Sequence, residues 1–217
     1  MPLARLNTLL PLILPKATNC PPSVAAQQAR MAAIEFCERT RCWRQVSTVT
    51  VTGPNEALTV APPEAAIYEI ESASFGEGDT PLYPTQHTDL LGMRTGRPAY
   101  ITQVSPNQVT IFPFDQAVDL DISLFLKPRV EDEYGTDPLD PLFNRYDVVP
   151  DWMLTQHGHR LVDGALGRIL AIPNQPWTDM ARAGYHAGLF NDACNAKFHQ
   201  QVRGQQRARA RSRFQDF

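Results

Sequence analysis

Residues 23–52 read SVAAQQARMAAIEFCERTRCWRQVSTVTVT, and their pattern changes once, near residue 44. Up to Trp43 the stretch is rich in alanine and glutamine and has no interior Gly or Pro. Val24, Met31, Ile34 and Cys37 or Glu38 recur near helical spacing. This predicts a helix of about five turns over 23–43, with Ser23, after a double proline, placed to cap its start. The small alanine faces allow another helix to approach closely. From Gln45 onward β-branched residues take over, and a strand is predicted.

The strand pattern continues to about Lys127. EALTV (56–60), AAIYEI (65–70), PAYITQV (98–104), NQVTIFPF (107–114) and VDLDISLFL (118–126) are short and separated by Gly, Pro, Asn and Asp, which reads as a small, mostly antiparallel β domain inserted between helices. Leu120, Ile122, Leu124 and Leu126 fall on one face of the last strand, with Asp119, Asp121, Ser123 and Phe125 on the other. Residues 75–97, FGEGDTPLYPTQHTDLLGMRTGR, read as a long excursion between strands, for which a binding surface is a physical reason.

Beyond the β region, residues 131–147 carry Glu131, Asp132, Glu133, Asp137, Asp140 and Asp147 against Arg145, a net of −5, and read as a solvated connector. Helical spacing returns after Pro150, which suits a first helical turn. Leu154, Leu161, Val162, Ala165, Leu166, Ile169 and Leu170 form an apolar stripe there, and Gly158, Gly164 and Gly167 thin the helix where another could pack. Pro173 and Pro176 end it. A third helix is predicted from Thr178 or Asp179, carrying Ala181, Tyr185, Gly188 and Leu189. Past Lys197 the stripe fades. Residues 203–217 hold Arg203, Arg207, Arg209, Arg211 and Arg213 against Asp216, a net of +4. Four of these arginines alternate: a helix spreads them around its cylinder, and an extended strand puts them on one face.

The fold class expected is α+β: a helical bundle body, an inserted antiparallel β domain and an extended C-terminal arm. The boundaries are 1–44 for the N-terminal segment and first helix, 45–128 for the β insert, 129–149 for the acidic connector, 150–202 for the second and third long helices, and 203–217 for the basic extension. Expected helix–helix packing residues are Gly158, Leu161, Ala165, Ile169, Tyr185 and Leu189.

Composition narrows the function. The 217 residues include 19 prolines, nearly twice the usual frequency, which implies many short elements and extended connectors. A formal charge of −3 gives no overall basic balance toward nucleic acid. The apolar run Leu6–Leu14 is broken by Pro11 and lacks the features of a signal peptide, and no segment approaches the length of a membrane span. A soluble intracellular product without a membrane partner is expected. Cys20, Cys37, Cys42 and Cys194 form no close repeating pair, so free, mostly buried thiols are expected.

Catalytic patterns are missing from the sequence. His157 and His159 lie about 200° apart on a helix, which prevents side-by-side metal ligation. His87, His186 and His199 stand singly. Gly76 and Gly78 lack the lysine and helix of a phosphate loop, and there is no G-x-S-x-G elbow. The reading is therefore no enzyme, no cofactor and no metal site. A small intracellular hydrolase is the alternative from a different class, and it would require convergent His, acid and nucleophile positions.

Three segments carry a likeness: LPLILPKATNCPPSVAAQQARMAAIEFCERTRCWR (10–44), GRPAYITQVSPNQVTIFPF (96–114) and PDWMLTQHGHRLVDGALGRILAIPNQPWTDMARAGYHAGLFNDACNAKF (150–198). Their order, a helix ending in CxRTRxWR, a β insert, then a helix closing at AIPNQPW, resembles the head-to-tail adaptor proteins, also called neck or connector proteins, of tailed bacteriophages, over about residues 6–200. The resemblance implies a structural virion protein at the head–tail junction, assembled in the host cytoplasm. It implies a homo-oligomeric ring, commonly a dodecamer, beneath the portal protein, binding tail or nozzle proteins and passing DNA as non-specific cargo during genome ejection. By position, Arg203, Arg207, Arg209, Arg211, Arg213, Phe214 and Phe217 are the expected contacts to the portal or to a neighbouring subunit. The acidic stretch 131–147 is a complementary surface on a neighbouring copy. A tail-completion or tail-terminator ring protein is the alternative within the same class.

Overall fold

The switch near residue 44 is also where the chain passes between two units. Residues 6–42 and 151–217 belong to a helical unit, residues 1–5 and 43–150 to a β unit. The structure, a computed structural model, describes residues 2–76, 80–86, 95–129 and 147–202. It has the expected mixed α+β composition, with β strands between helices.

In the helical unit, a short helix α1 (Leu10–Ile13) sits between two 3-10 turns; Leu6 and Leu9 of the first turn and Ile13 of the helix are buried. α2 (Pro22–Thr40) starts one residue before Ser23. Pro21 is the cap and, having no side-chain acceptor, makes no side-chain hydrogen bond, while Pro22 at the first helical position has no N–H to satisfy. The buried face of α2 also differs from the stripe expected. It is Ala25, Ala29, Ala32, Ala33, Ile34, Phe36 and Cys37, while Met31 is 38% exposed. Close helix packing favours the small side chains over the longer ones here. Arg41 takes the left-handed conformation and its N–H caps Cys37 O at 2.8 Å.

α3 (Asp151–Leu170) begins just after Pro150, which ends a strand and is not in the first helical turn. α4 (Met180–Val202) begins after Asp179, whose Oδ1 accepts the Arg182 N–H at 3.0 Å. Between them, AIPNQPW makes a tight reversal. Asn174 has φ +58°, Thr178 Oγ1 donates to Ile172 O at 2.5 Å, and Asp179 N donates to Leu170 O at 3.0 Å.

In the β unit, β1 (Leu3–Arg5) pairs antiparallel with β10 (Val148–Pro150), so the first residues of the chain belong here and not with the first helix. One four-stranded sheet has the order β2 (Arg44–Val51), β9 (Val118–Pro128), β4 (Ala65–Phe75), β5 (Thr80–Pro81). The other has the order β3 (Leu58–Thr59), β8 (Gln108–Phe112), β7 (Tyr100–Ser105), β6 (Tyr83–Pro84). All pairings are antiparallel except β6 with β7. Part of the expected 75–97 excursion is therefore strand: residues 80–81 extend the first sheet and residues 83–84 the second. Leu120, Ile122, Leu124 and Leu126 are at most 1% exposed and form the centre of this core, on the face that the alternation of β9 assigned them.

Candidate assembly surfaces

The phrase CERTRCWR (37–44) closes α2 and opens β2, and several of its side chains have separate tasks. Thr40 Oγ1 donates to Phe36 O at 2.6 Å, and Arg41 lies 6.0 Å from the Phe198 ring centroid. Arg39 ties helices together: it pairs with Glu35 at 3.1 Å and donates to Asn191 and Asn195 of α4 at 2.5 and 3.3 Å. Glu35 also receives Arg168 of α3, so Glu35 links α2 to α3 and Arg39 links α2 to α4. On the β side, Trp43 is 1% exposed, and Arg44 pairs with Glu71 and lies 5.9 Å from the Phe125 ring centroid.

Polar chemistry is buried between α3 and α4. Asp163 and His186 are each 8% exposed and meet at 3.0 Å, with Arg160 at 3.5 Å from the second carboxylate oxygen. Sequence reading found His186 standing alone. Its partner is 23 residues away on another helix, and no local spacing reports that. Around His157, Phe36 stacks at 5.0 Å and Trp152 meets the ring edge-on at 6.3 Å. Burial, helped by the Lys197 ammonium, lowers the His157 pKa to about 4. All four cysteines are free and buried, as the sequence reading expected. Burial pushes the Cys194 thiol up to about 11 and raises Cys37 as well, while the hydrogen bond from Cys37 draws Cys42 down.

The glycines of α3 and α4 divide by environment. A Cβ on Gly164 would stand 2.7 Å from Phe190 and 3.0 Å from Ala32. One on Gly167 would stand 3.0 Å from the backbone nitrogen of Ala187, and one on Gly158 3.6 Å from Leu9. These three set the close approach of elements within the helical unit. On α4, a Cβ at Gly184 or Gly188 would meet nothing within 4 Å among the described residues. Beside them Tyr185 is 65% exposed and Met180 67% exposed. Of the expected packing residues, Gly158, Leu161, Ala165 and Ile169 are buried and Leu189 is half-buried. Tyr185 does not pack in the bundle. The α4 residues that turn inward are Ala183, His186, Phe190 and Cys194, which puts Tyr185 on the opposite side.

The β unit offers a shallow cleft of about 240 Å³ between Phe75 and Val118. Its arginine, Arg97, donates to Thr80 at 2.9 Å and lies 5.4 Å from the Phe75 ring centroid. The charge is committed to the strand ends beside it. Arg203, Arg207, Arg209, Arg211, Arg213, Phe214 and Phe217 lie outside the described residues, as does most of the acidic stretch 131–147. Among the described residues no helix is long and apolar enough to cross a membrane, and no group of three or more His, Cys, Asp or Glu could hold a metal ion.

Comparison with known proteins brings these features to one family. No curated protein matches the chain. A protein-family comparison matches residues 4–213, which take in the whole helical scaffold, the β unit and the CERTRCWR and AIPNQPW phrases. With that span covered, the chain belongs to the SU10 adaptor protein family.

Proposed function

We propose that the chain works as one subunit of a closed ring, twelve copies by the family resemblance. As a family member it is a structural connector of the head–tail junction of a tailed phage, a place where adaptors interact with portal and tail components. The ring passes the genome through its channel without reading its sequence and is assembled in the host cytoplasm before joining the virion.

The observation that carries this reading is the outward face of α4. Met180, Gly184, Tyr185 and Gly188 leave a small-residue face flanked by large apolar side chains, and none of the described residues comes within 4 Å of a Cβ placed on either glycine. A cyclic ring needs two different faces on each subunit, and a glycine-lined helix face is suited to close approach by a neighbouring helix. The basic segment 203–217 is a second contact, to the portal or to a neighbouring copy, and the acidic stretch 131–147 supplies a surface of opposite charge.

Native mass measurement and negative-stain imaging of the chain mixed with its portal test the proposal. The expected result is a portal-bound ring. A chain that stays monomeric and never binds portal would overturn it. Failure to form a ring without portal would not, because an adaptor can assemble on its template.

A further inference from the structure

The sheet edges of the β unit are not equally protected. β5 and β6 are two residues long and each ends in proline, and β3 is also two residues long. Short, proline-bearing edges resist pairing with other chains. β2 is the exception. It is eight residues long, has no proline, lysine or bulge, and pairs on one side with β9.

The register shows which backbone groups that edge presents. Leu126 N donates to Trp43 O at 2.8 Å. With Arg44 opposite Phe125, the hydrogen-bonded pairs are Gln45 with Leu124, Ser47 with Ile122, Val49 with Leu120 and Val51 with Val118. The N–H and C=O groups of Arg44, Val46, Thr48 and Thr50 therefore point to the open side. No backbone partner for them occurs among the described residues. The side chains of these four residues are exposed, Val46 by 70%.

Next to that edge the outward face is acidic. Thr48 hydrogen-bonds Asp121, and Thr50 Oγ1 donates to Asp119 at 2.7 Å. Neither carboxylate has a basic partner among the described residues. A strand added beside β2 would lie about 4.8 Å from it and twice that from β9, a span that an arginine and an aspartate side chain cover together.

Residues 207–214, RARARSRF, match this surface in three ways. They equal β2 in length. In an extended strand they put Arg207, Arg209, Arg211 and Arg213 on one face, and Ala208, Ala210, Ser212 and Phe214 on the other. Their charge is opposite to that of Asp119 and Asp121. We infer that residues 207–214 of a second copy add as a strand to the open edge of β2, their arginines on the outward face beside Asp119 and Asp121. Main-chain hydrogen bonds would supply affinity, and the alternating charges would fix the register. A β2-to-β2 pairing is the competing use of the edge, but it closes a two-fold dimer and leaves no edge for a ring. The inference rests on the ring reading above and names one of its intersubunit contacts.

The test uses the full chain with a photo-crosslinking residue in place of Ala210. Light and heavy isotope-labelled copies are mixed and assembled on portal. Crosslinks from position 210 to residues 44–51 are expected, joining light copies to heavy ones. Crosslinks confined to portal, to residues 131–147 or to the same copy would overturn the inference while leaving the ring intact. A native mass spectrum with no ring and no portal-bound species would overturn the ring reading as well. Two variants sharpen the result. Val46→Pro removes a donor that faces the open edge, and Asp119→Asn with Asp121→Asn removes the charge while keeping acceptors for the threonines. Each should lower the crosslink yield several-fold in rings of normal mass, and undiminished yield in both would overturn the inference.

Discussion

Asp163 of α3 holds His186 of α4 with 3.0 Å between Oδ1 and Nδ1, in the buried seam of the helical unit. A carboxylate oxygen only accepts, so Nδ1–H is the donor, and the bond fixes the ring orientation. His186→Ala would leave the carboxylate buried with only Arg160, at 3.5 Å and half in solvent, to answer it. An unsatisfied buried group costs about 1–3 kcal/mol, more when charged. The unfolding free energy of His186→Ala, measured by urea titration, should fall by an amount in the upper part of that range. Asp163→Asn, which keeps the acceptor, should lose less. Equal losses for the two variants would show that the charge of the carboxylate, and not the presence of an acceptor alone, sets the cost.

His157 gives the helical unit a pH dependence. Its folded pKa, about 4, lies below the usual value of 6.5, burial being the main cause and Lys197 the lesser. In the folded state the imidazole is neutral where the unfolded chain binds a proton, so between those two values the unfolded state takes up more protons. Stability should therefore fall as pH drops from about 6.5 toward about 4, and be unaffected by this group above it. His157→Phe keeps the ring against Phe36 and Trp152 and removes the titration. A series of urea midpoints across that window should be flatter for the variant than for the parent chain.

Much of this was legible in the sequence, and the misses have physical causes. The alternation of β9 placed Leu120 to Leu126 correctly, because a period of two has one buried face and the strand is central in its sheet. On α2 hydrophobicity pointed to Met31, while the seam selected alanines. There the determinant is the distance between helices, set by Gly164 and Phe190 far along the chain. The same limit hid Tyr185, whose apolar ring fitted a buried stripe but lies on the side of α4 away from α3. It also hid the Asp163–His186 pair and the link from Glu35 to Arg168, which join residues of different helices. Residues 3–5 carry no strand signal of their own; β1 is held by its pairing with β10.

Deleting residues 203–217 should leave the folded body intact and weaken attachment. Among the described residues the buried positions of α4 end at Lys197, and the thermal midpoint of the truncated chain should match the parent's. The deleted segment carries a net charge of +4. Attachment of the parent chain to portal should accordingly weaken with added salt, which screens exposed charges beyond roughly 10 Å at 0.1 M, and the truncated chain should show less of this dependence. Sedimentation of portal complexes at low and high salt measures both. Unchanged attachment of the truncated chain would remove the segment from the interface.

The two sets of glycines separate folding from assembly. At Gly164 and Gly167 a methyl group meets Phe190 at 2.7 Å and the Ala187 backbone at 3.0 Å. The overpacking, typically about 1–3 kcal/mol, exceeds or cancels the gain of about 1 kcal/mol in helix propensity. Gly167→Ala in particular should lower the melting temperature, because the atom it meets is backbone and cannot swing away. At Gly184 and Gly188 the new methyl group meets nothing within 4 Å among the described residues, so the propensity gain dominates, and each alanine should stabilise the monomer by about 0.5–1 kcal/mol. If the face beside Tyr185 receives a neighbouring helix, those same substitutions hold the two backbones apart. The doubly substituted chain should then melt higher as a monomer and form rings on portal less readily. Higher stability with undiminished ring formation would take this face of α4 out of the interface and leave the strand edge of β2 as the surface to pursue.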